Sequence, residues 1–110
     1  MLHLRYSVAA CQTDLPNPAS RTAMRANTDR IVDMIDAAVA GAAPFLPVRL
    51  VVFPEFAHAA PVYAAVSDLL THLTVTIPNE HTDRLHAKAR EHDIYIQSGS
   101  MLEEDPKYPG

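Results

Sequence analysis

The run Arg49-Leu50-Val51-Val52-Phe53-Pro54-Glu55-Phe56 constrains the fold of this chain more than any other stretch. An unbroken apolar run of this length reads as a strand buried on both faces, the kind found at the centre of an α/β sheet. Pro54 has no N–H with which to continue a ladder, so the strand stops there and Glu55 is delivered at its carboxyl end. Ligands of open α/β sheets bind at that edge. Taken alone, such a pattern more often ends in a solvated loop glutamate, so the flanking sequence decides between the two.

Those flanks spell an α/β order. Arg5 to Gln12 alternates loosely and is bounded by Asp14, Pro16 and Pro18, which predicts a first strand with Cys11 at its end. A helical period follows, with Asn17 as N-cap, Pro18 in the first turn and Met24, Ile31, Ile35 and Ala38 on one face. Gly41 and Pro44 supply its stop. Asn27 falls on the apolar stripe, so its amide needs partners inside the fold and has a structural role. Val48 to Phe53 returns as a second strand, which makes the pair parallel with a helical crossover. Tyr63 to Leu73 predicts a short helix and Thr74 to Ile77 an extended segment ended by Pro78. Asn79 caps a further helix to about Glu91, with Leu85 and Ala89 as a narrow buried face, and Ile94 to Gln97 forms a third strand ending at Ser98-Gly99-Ser100. Glu103 to Gly110 has no periodicity, and no closing element is expected from it.

Composition removes several classes of function. With 110 residues, 48% hydrophobic and 20% charged, the chain fits one domain with a modest core. Its net charge is -4, and nine Lys and Arg residues are scattered singly, so neither nucleic acid nor an anionic membrane is an expected partner. No apolar run approaches the roughly 20 residues of a membrane span. Val8-Ala9-Ala10-Cys11 mimics a lipoprotein cleavage site, but only ten residues precede Cys11 and they include His3, Arg5 and Tyr6, which disfavours export. A single cysteine allows no internal disulfide, and the expected location is the cytoplasm.

The remaining chemistry-bearing residues weigh lightly. Six histidines show neither HExxH nor HxxEH spacing, and those at 81, 86 and 92 read as solvated helix-surface groups, so no metal is expected. Three glycines, at 41, 99 and 110, cannot write a phosphate-binding loop or a dinucleotide turn, and no cofactor is expected. Cys11 lies in Ser7-Val8-Ala9-Ala10 without a neighbouring base, which makes it an inert, partly buried thiol. Ser98 and Ser100 lack a GxSxG elbow. Glu103 and Glu104 are solvating charges. His58 and Tyr63 follow Glu55 closely enough to line a pocket mouth, or to lie on the surface.

These signals together resemble the nitrilase, or carbon-nitrogen hydrolase, superfamily. The resemblance is carried by the first strand with Gln12, the helix with Asn27 and Ala37-Ala38, the strand ending in Phe53-Pro54-Glu55, the segment Leu85 to His92, and Ile94-Tyr95-Ile96-Gln97-Ser98-Gly99-Ser100. It implies an α/β fold, the N-terminal part of a four-layer αββα sandwich, with residues 1–110 as the N-terminal portion of a single, incomplete domain. It further implies hydrolysis of amides, nitriles or related carbon-nitrogen bonds by a Glu-Lys-Cys triad through a thioester, with Glu55 matching the general base. The family's lysine and cysteine follow the third strand. Lys107 and Cys11 match neither, so residues 1–110 alone are expected to be inactive. The resemblance implies a small amide or nitrile as substrate of the complete protein, and pairing of complete chains into a homo-oligomer. The alternative is a non-catalytic truncated module that associates with a partner through an exposed sheet.

Overall fold

The computed structural model describes residues 4–109. Six elements follow the α/β order: β1 (Ser7–Ala10), α1 (Met24–Ala42), β2 (Val48–Val52), α2 (Val66–His72), α3 (Glu80–His92) and β3 (Tyr95–Gln97). The three strands form a parallel sheet in the order β1-β2-β3, which puts the apolar run at the centre.

Register decides which side chains meet the helices. Ala9, Val51 and Ile96 stand side by side across the sheet, and they join the core cluster that contains Ile31 and Ile35 of α1 and Leu85 of α3. Because side chains alternate along a strand, Val8, Leu50 and Tyr95 form a row on the opposite face. That face is bare: Val8 is 52% and Tyr95 80% exposed. The expected burial of β2 on both faces therefore holds on one side only. Val51 is fully enclosed, whereas Leu50 and Val52 are half-covered, flanked by their strand neighbours alone. The result is one layer of helices on one layer of sheet.

α1 departs from expectation at both ends. Asn17 is not its cap; the helix begins at Met24 after a turn at residues 21–23, and Ala23 offers no capping side chain. The cause is a distant anchor. Arg21 donates to the carbonyls of Leu70, Thr71 and Thr74 at 2.7, 2.7 and 2.5 Å, where the end of α2 leaves its carbonyls without helical partners. This clamp holds the chain in a turn where periodicity alone would continue the helix. At the other end α1 runs through Gly41, and Pro44 follows the last turn.

α3 matches its expected start. The Asn79 side chain accepts from the His81 and Thr82 N–H groups, and the Thr82 hydroxyl closes a reciprocal capping box. Asp93 ends the helix in a left-handed conformation. The tail is more ordered than its composition implies, because Val75 N–H donates to Leu102 and Glu104 N–H to Val75, tying the tail to the segment after α2. Met101 and Leu102 also pack against a second core cluster of Met24, Ala59, Leu73 and Val75.

Candidate functional site

All three strands deliver their following residues to one edge of the sheet. The Cys11 N–H donates to Val52 O and the Phe53 N–H to Gln97 O, both at 2.8 Å, so the ladder continues one residue past the strands before Pro54 ends it. Glu55 emerges there, exposed, and Phe56 after it takes a left-handed backbone with φ 56°. That conformation is uncommon for a bulky residue and turns the chain sharply away from the strand direction.

The turn is held from three sides. Gly99, at φ 83°, lies so close to the Pro54 carbonyl that a side chain there would overlap it. Ser100 Oγ accepts from the Phe56 N–H at 3.3 Å. Asn27, buried on α1, donates its amide N–H groups to Pro16 O and His58 O, each at 2.9 Å, tying the loops after β1 and β2 to the helix. The Asn27 expectation of a structural amide is met by these bonds. Gly99 and Ser100 thus serve the Glu55 turn, a contact that the Ser-Gly-Ser spacing alone did not reveal.

Glu55 sits in a cleft of about 340 Å³ with Thr13, Asp14, Leu15, Asn17, Pro54, Phe56, Ala57 and Ala60. Among the described residues its carboxylate has no hydrogen-bond or ion-pair partner, so it is open to a proton or an ammonium brought into the cleft. A larger hollow of about 600 Å³, lined by Leu4, Tyr6, Arg49, Leu50, Asp93 and Tyr95 among others, belongs to the bare side of the sheet and does not include Glu55.

Other sequence candidates lie elsewhere. Cys11 packs against the core, and burial pushes its thiol up, away from the reactive thiolate. Lys107 lies in the exposed tail, where its N–H donates to Asp105. Neither lines the Glu55 cleft. Tyr63 donates its hydroxyl to Ala19 O and packs against the second core, and His58 is buried beneath the loop, so neither lines the mouth of the cleft. Glu104 is more than a solvating charge, since it accepts from the Thr74 hydroxyl at 2.9 Å.

The histidines correct the sequence reading most. His81 is buried and its Nδ1 lies 2.6 Å from the Thr28 hydroxyl. His92 is half-buried with Nε2 2.7 Å from Asp36. Both face α1, whose polar residues offered partners that spacing along α3 did not reveal. Asp36, Glu91 and His92 bring three metal-ligating atoms within 4.8 Å of one another. The Lys88 ammonium is already bonded to Asp36 and Glu91, at 2.8 and 2.9 Å. A cation would have to displace it. The Lys88 hydrogen bond, then that of His92, holds the Asp36 carboxyl below the usual range, and Asp36 in turn raises Lys88. The group is an ion-pair clip between α1 and α3.

No helix among the described residues is long and apolar enough to cross a membrane. No curated protein matches the chain. The family model for carbon-nitrogen hydrolases matches residues 7–110, spanning the sheet, its helical layer and the Glu55 turn. With a parallel α/β fold and nearly its whole length matched, the chain belongs to the carbon-nitrogen hydrolase family.

Proposed function

We propose that Glu55 is the general base of a cysteine-dependent hydrolase of amides, nitriles or related bonds. The observation that carries this reading is the delivery of an unpaired carboxylate at the carboxyl edge of the central strand, on a turn held by Gly99, Ser100 and Asn27. In this reading the carboxylate takes the proton of a thiol and the thiolate attacks the carbonyl or nitrile carbon. An amide's leaving amine or ammonia receives that proton, whereas the thioimidate formed from a nitrile takes up the proton, adds a water and then releases ammonia, and both routes give a thioester. Water then cleaves the thioester, with the same carboxylate accepting its proton. A lysine stabilises the oxyanion and the carboxylate.

That lysine and thiol come from outside residues 1–110. Cys11 is no substitute, because burial favours its protonated thiol and it lies outside the Glu55 cleft. The substrate is a small amide or nitrile, the active form is a homo-oligomer of complete chains, and the protein works in the cytoplasm. The reading is tested by assaying amide and nitrile hydrolysis in a protein carrying these residues with the remainder of the domain, beside residues 1–110 alone. Turnover is expected from the former only. Turnover from residues 1–110 would contradict the need for an outside nucleophile.

A second reading, a non-catalytic module that docks through its sheet, is favoured by the apolar row Val8-Leu50-Tyr95 on the bare face. Such a face and two open strand edges promote association. Light scattering on residues 1–110 is expected to show self-association or aggregation; a monomer that unfolds cooperatively would contradict this.

A further inference from the structure

His58 is an unexplained buried group. Only 1% of it is exposed, and both of its ring nitrogens are sealed from solvent without a hydrogen-bond partner. Buried polar atoms are nearly always paired, so an orphaned imidazole is a costly feature at that position. It lies three residues after Glu55, between buried Ala57 and Ala59, and its carbonyl is one of the two that hold Asn27. The neighbouring ionisable ring is His81, with ring centroids 5.7 Å apart.

The two imidazoles differ in what they can do with a proton. His81 has Thr28 at Nδ1, and its Nε2 is 3.7 Å from the Glu80 carboxylate, a counter-ion for a protonated ring. Arg25 and Arg84 stand near His81 as well and oppose such a charge, and burial opposes it more strongly. Among the described residues no carboxylate faces His58: α1 presents the neutral Asn27 amide to the backbone of its loop, and α3 presents the His81 ring. A proton on His58 would therefore create a buried cation with neither a counter-ion nor an acceptor.

We propose that His58 is an acid-sensitive latch, which holds the Glu55 loop closed while neutral and releases it when protonated. Opening puts the ring in water, where the charge is solvated, and it also frees Phe56 from its left-handed backbone. Burial, and secondarily the charge on His81, lower the affinity of His58 for protons to a pKa of about 4 in the closed loop. In the open loop it titrates near its ordinary value of about 6.5. The open form thus binds more protons between these limits, so acid favours opening, and closure is fully restored only above about pH 6.5. The gap of about two and a half units raises the open fraction on the order of a hundredfold between pH 7 and 4.

The latch regulates catalysis only if Glu55 has the role proposed above, but the opening itself does not depend on that role. The test therefore reads loop order rather than turnover. In the full chain, amide hydrogen exchange at residues 55–60, corrected for its intrinsic pH dependence, is expected to rise on the order of a hundredfold from pH 7 to 4 relative to α1. Nitrogen-15 spectra should show His58 neutral in the closed form down to about pH 4. His58→Phe, which retains bulk without a titrating group, should abolish the pH-dependent rise. If that variant does not fold, the wild-type measurements decide. Unchanged corrected exchange across this range, or His58 titrating near 6.5 with the loop closed, would overturn the latch.

Discussion

Gly99→Ala is expected to destabilise the fold by about 2–4 kcal/mol, combining the penalty of a left-handed backbone with steric overpacking. Gly99 has φ 83°, a region costly for alanine, and its new methyl would overlap the Pro54 carbonyl oxygen while coming within 3.1 Å of the Pro54 carbonyl carbon. Both clashing atoms are backbone, so no side-chain rotation relieves them. The strain falls on the peptide that delivers Glu55, whose Cα is only 3.6 Å from the same position. Denaturant unfolding checks the effect: the midpoint should drop sharply with an unchanged slope. An unchanged midpoint would show that β3 and the Glu55 turn are not packed as closely as described. Gly41→Ala is the control, since that helical position has no neighbour within 4 Å of the added carbon, and replacement there should be neutral or stabilising.

Local chemistry made much of this architecture legible. The apolar run with its proline marked the central strand and the place where Glu55 emerges, because chain termination by Pro54 is written in the sequence itself. Asn79 announced α3 through the capping preference of its amide, and Asn27 announced its own buried bonds by falling on an apolar stripe. Long-range partners were hidden. Arg21 gives no sign that it will clamp the end of α2, and this clamp displaced the start of α1 from Asn17 to Met24. His81 and His92 looked solvated because their partners, Thr28 and Asp36, lie on a different helix. Ser98-Gly99-Ser100 read as a turn, but its function is to support the neighbouring Pro54-Glu55 backbone. The tail looked unstructured because its pairing with Val75 is made by main-chain groups that carry no side-chain signature.

The histidine at position 58 illustrates a different limit. Its sequence neighbours, Ala57, Ala59 and Ala60 with Pro61 after them, carry no sign of an orphaned ring. The ring is buried under the loop beside His81, while the His58 carbonyl accepts from the Asn27 amide on α1, and both neighbours are distant in sequence. Glu55, by contrast, is exposed at the carboxyl end of β2, where the apolar run and Pro54 placed it, and among the described residues its carboxylate has no partner.

Glu55→Gln is the second large expected effect and the most direct test of the proposed chemistry. Glutamine keeps the size of the side chain and its acceptor oxygen but cannot take a proton at neutral pH, so it removes the base while sparing the turn. Because Glu55 is exposed and has no partner among the described residues, the substitution should leave the unfolding midpoint within about 0.5 kcal/mol of the parent, as surface changes usually do. The decisive measurement is kcat/KM for amide or nitrile hydrolysis by the complete protein with and without Glu55→Gln. A fall of about 10²-fold or more is predicted, the usual cost of losing a general base. Turnover within a few-fold of the parent, in a variant that folds equally well, would contradict the role of Glu55.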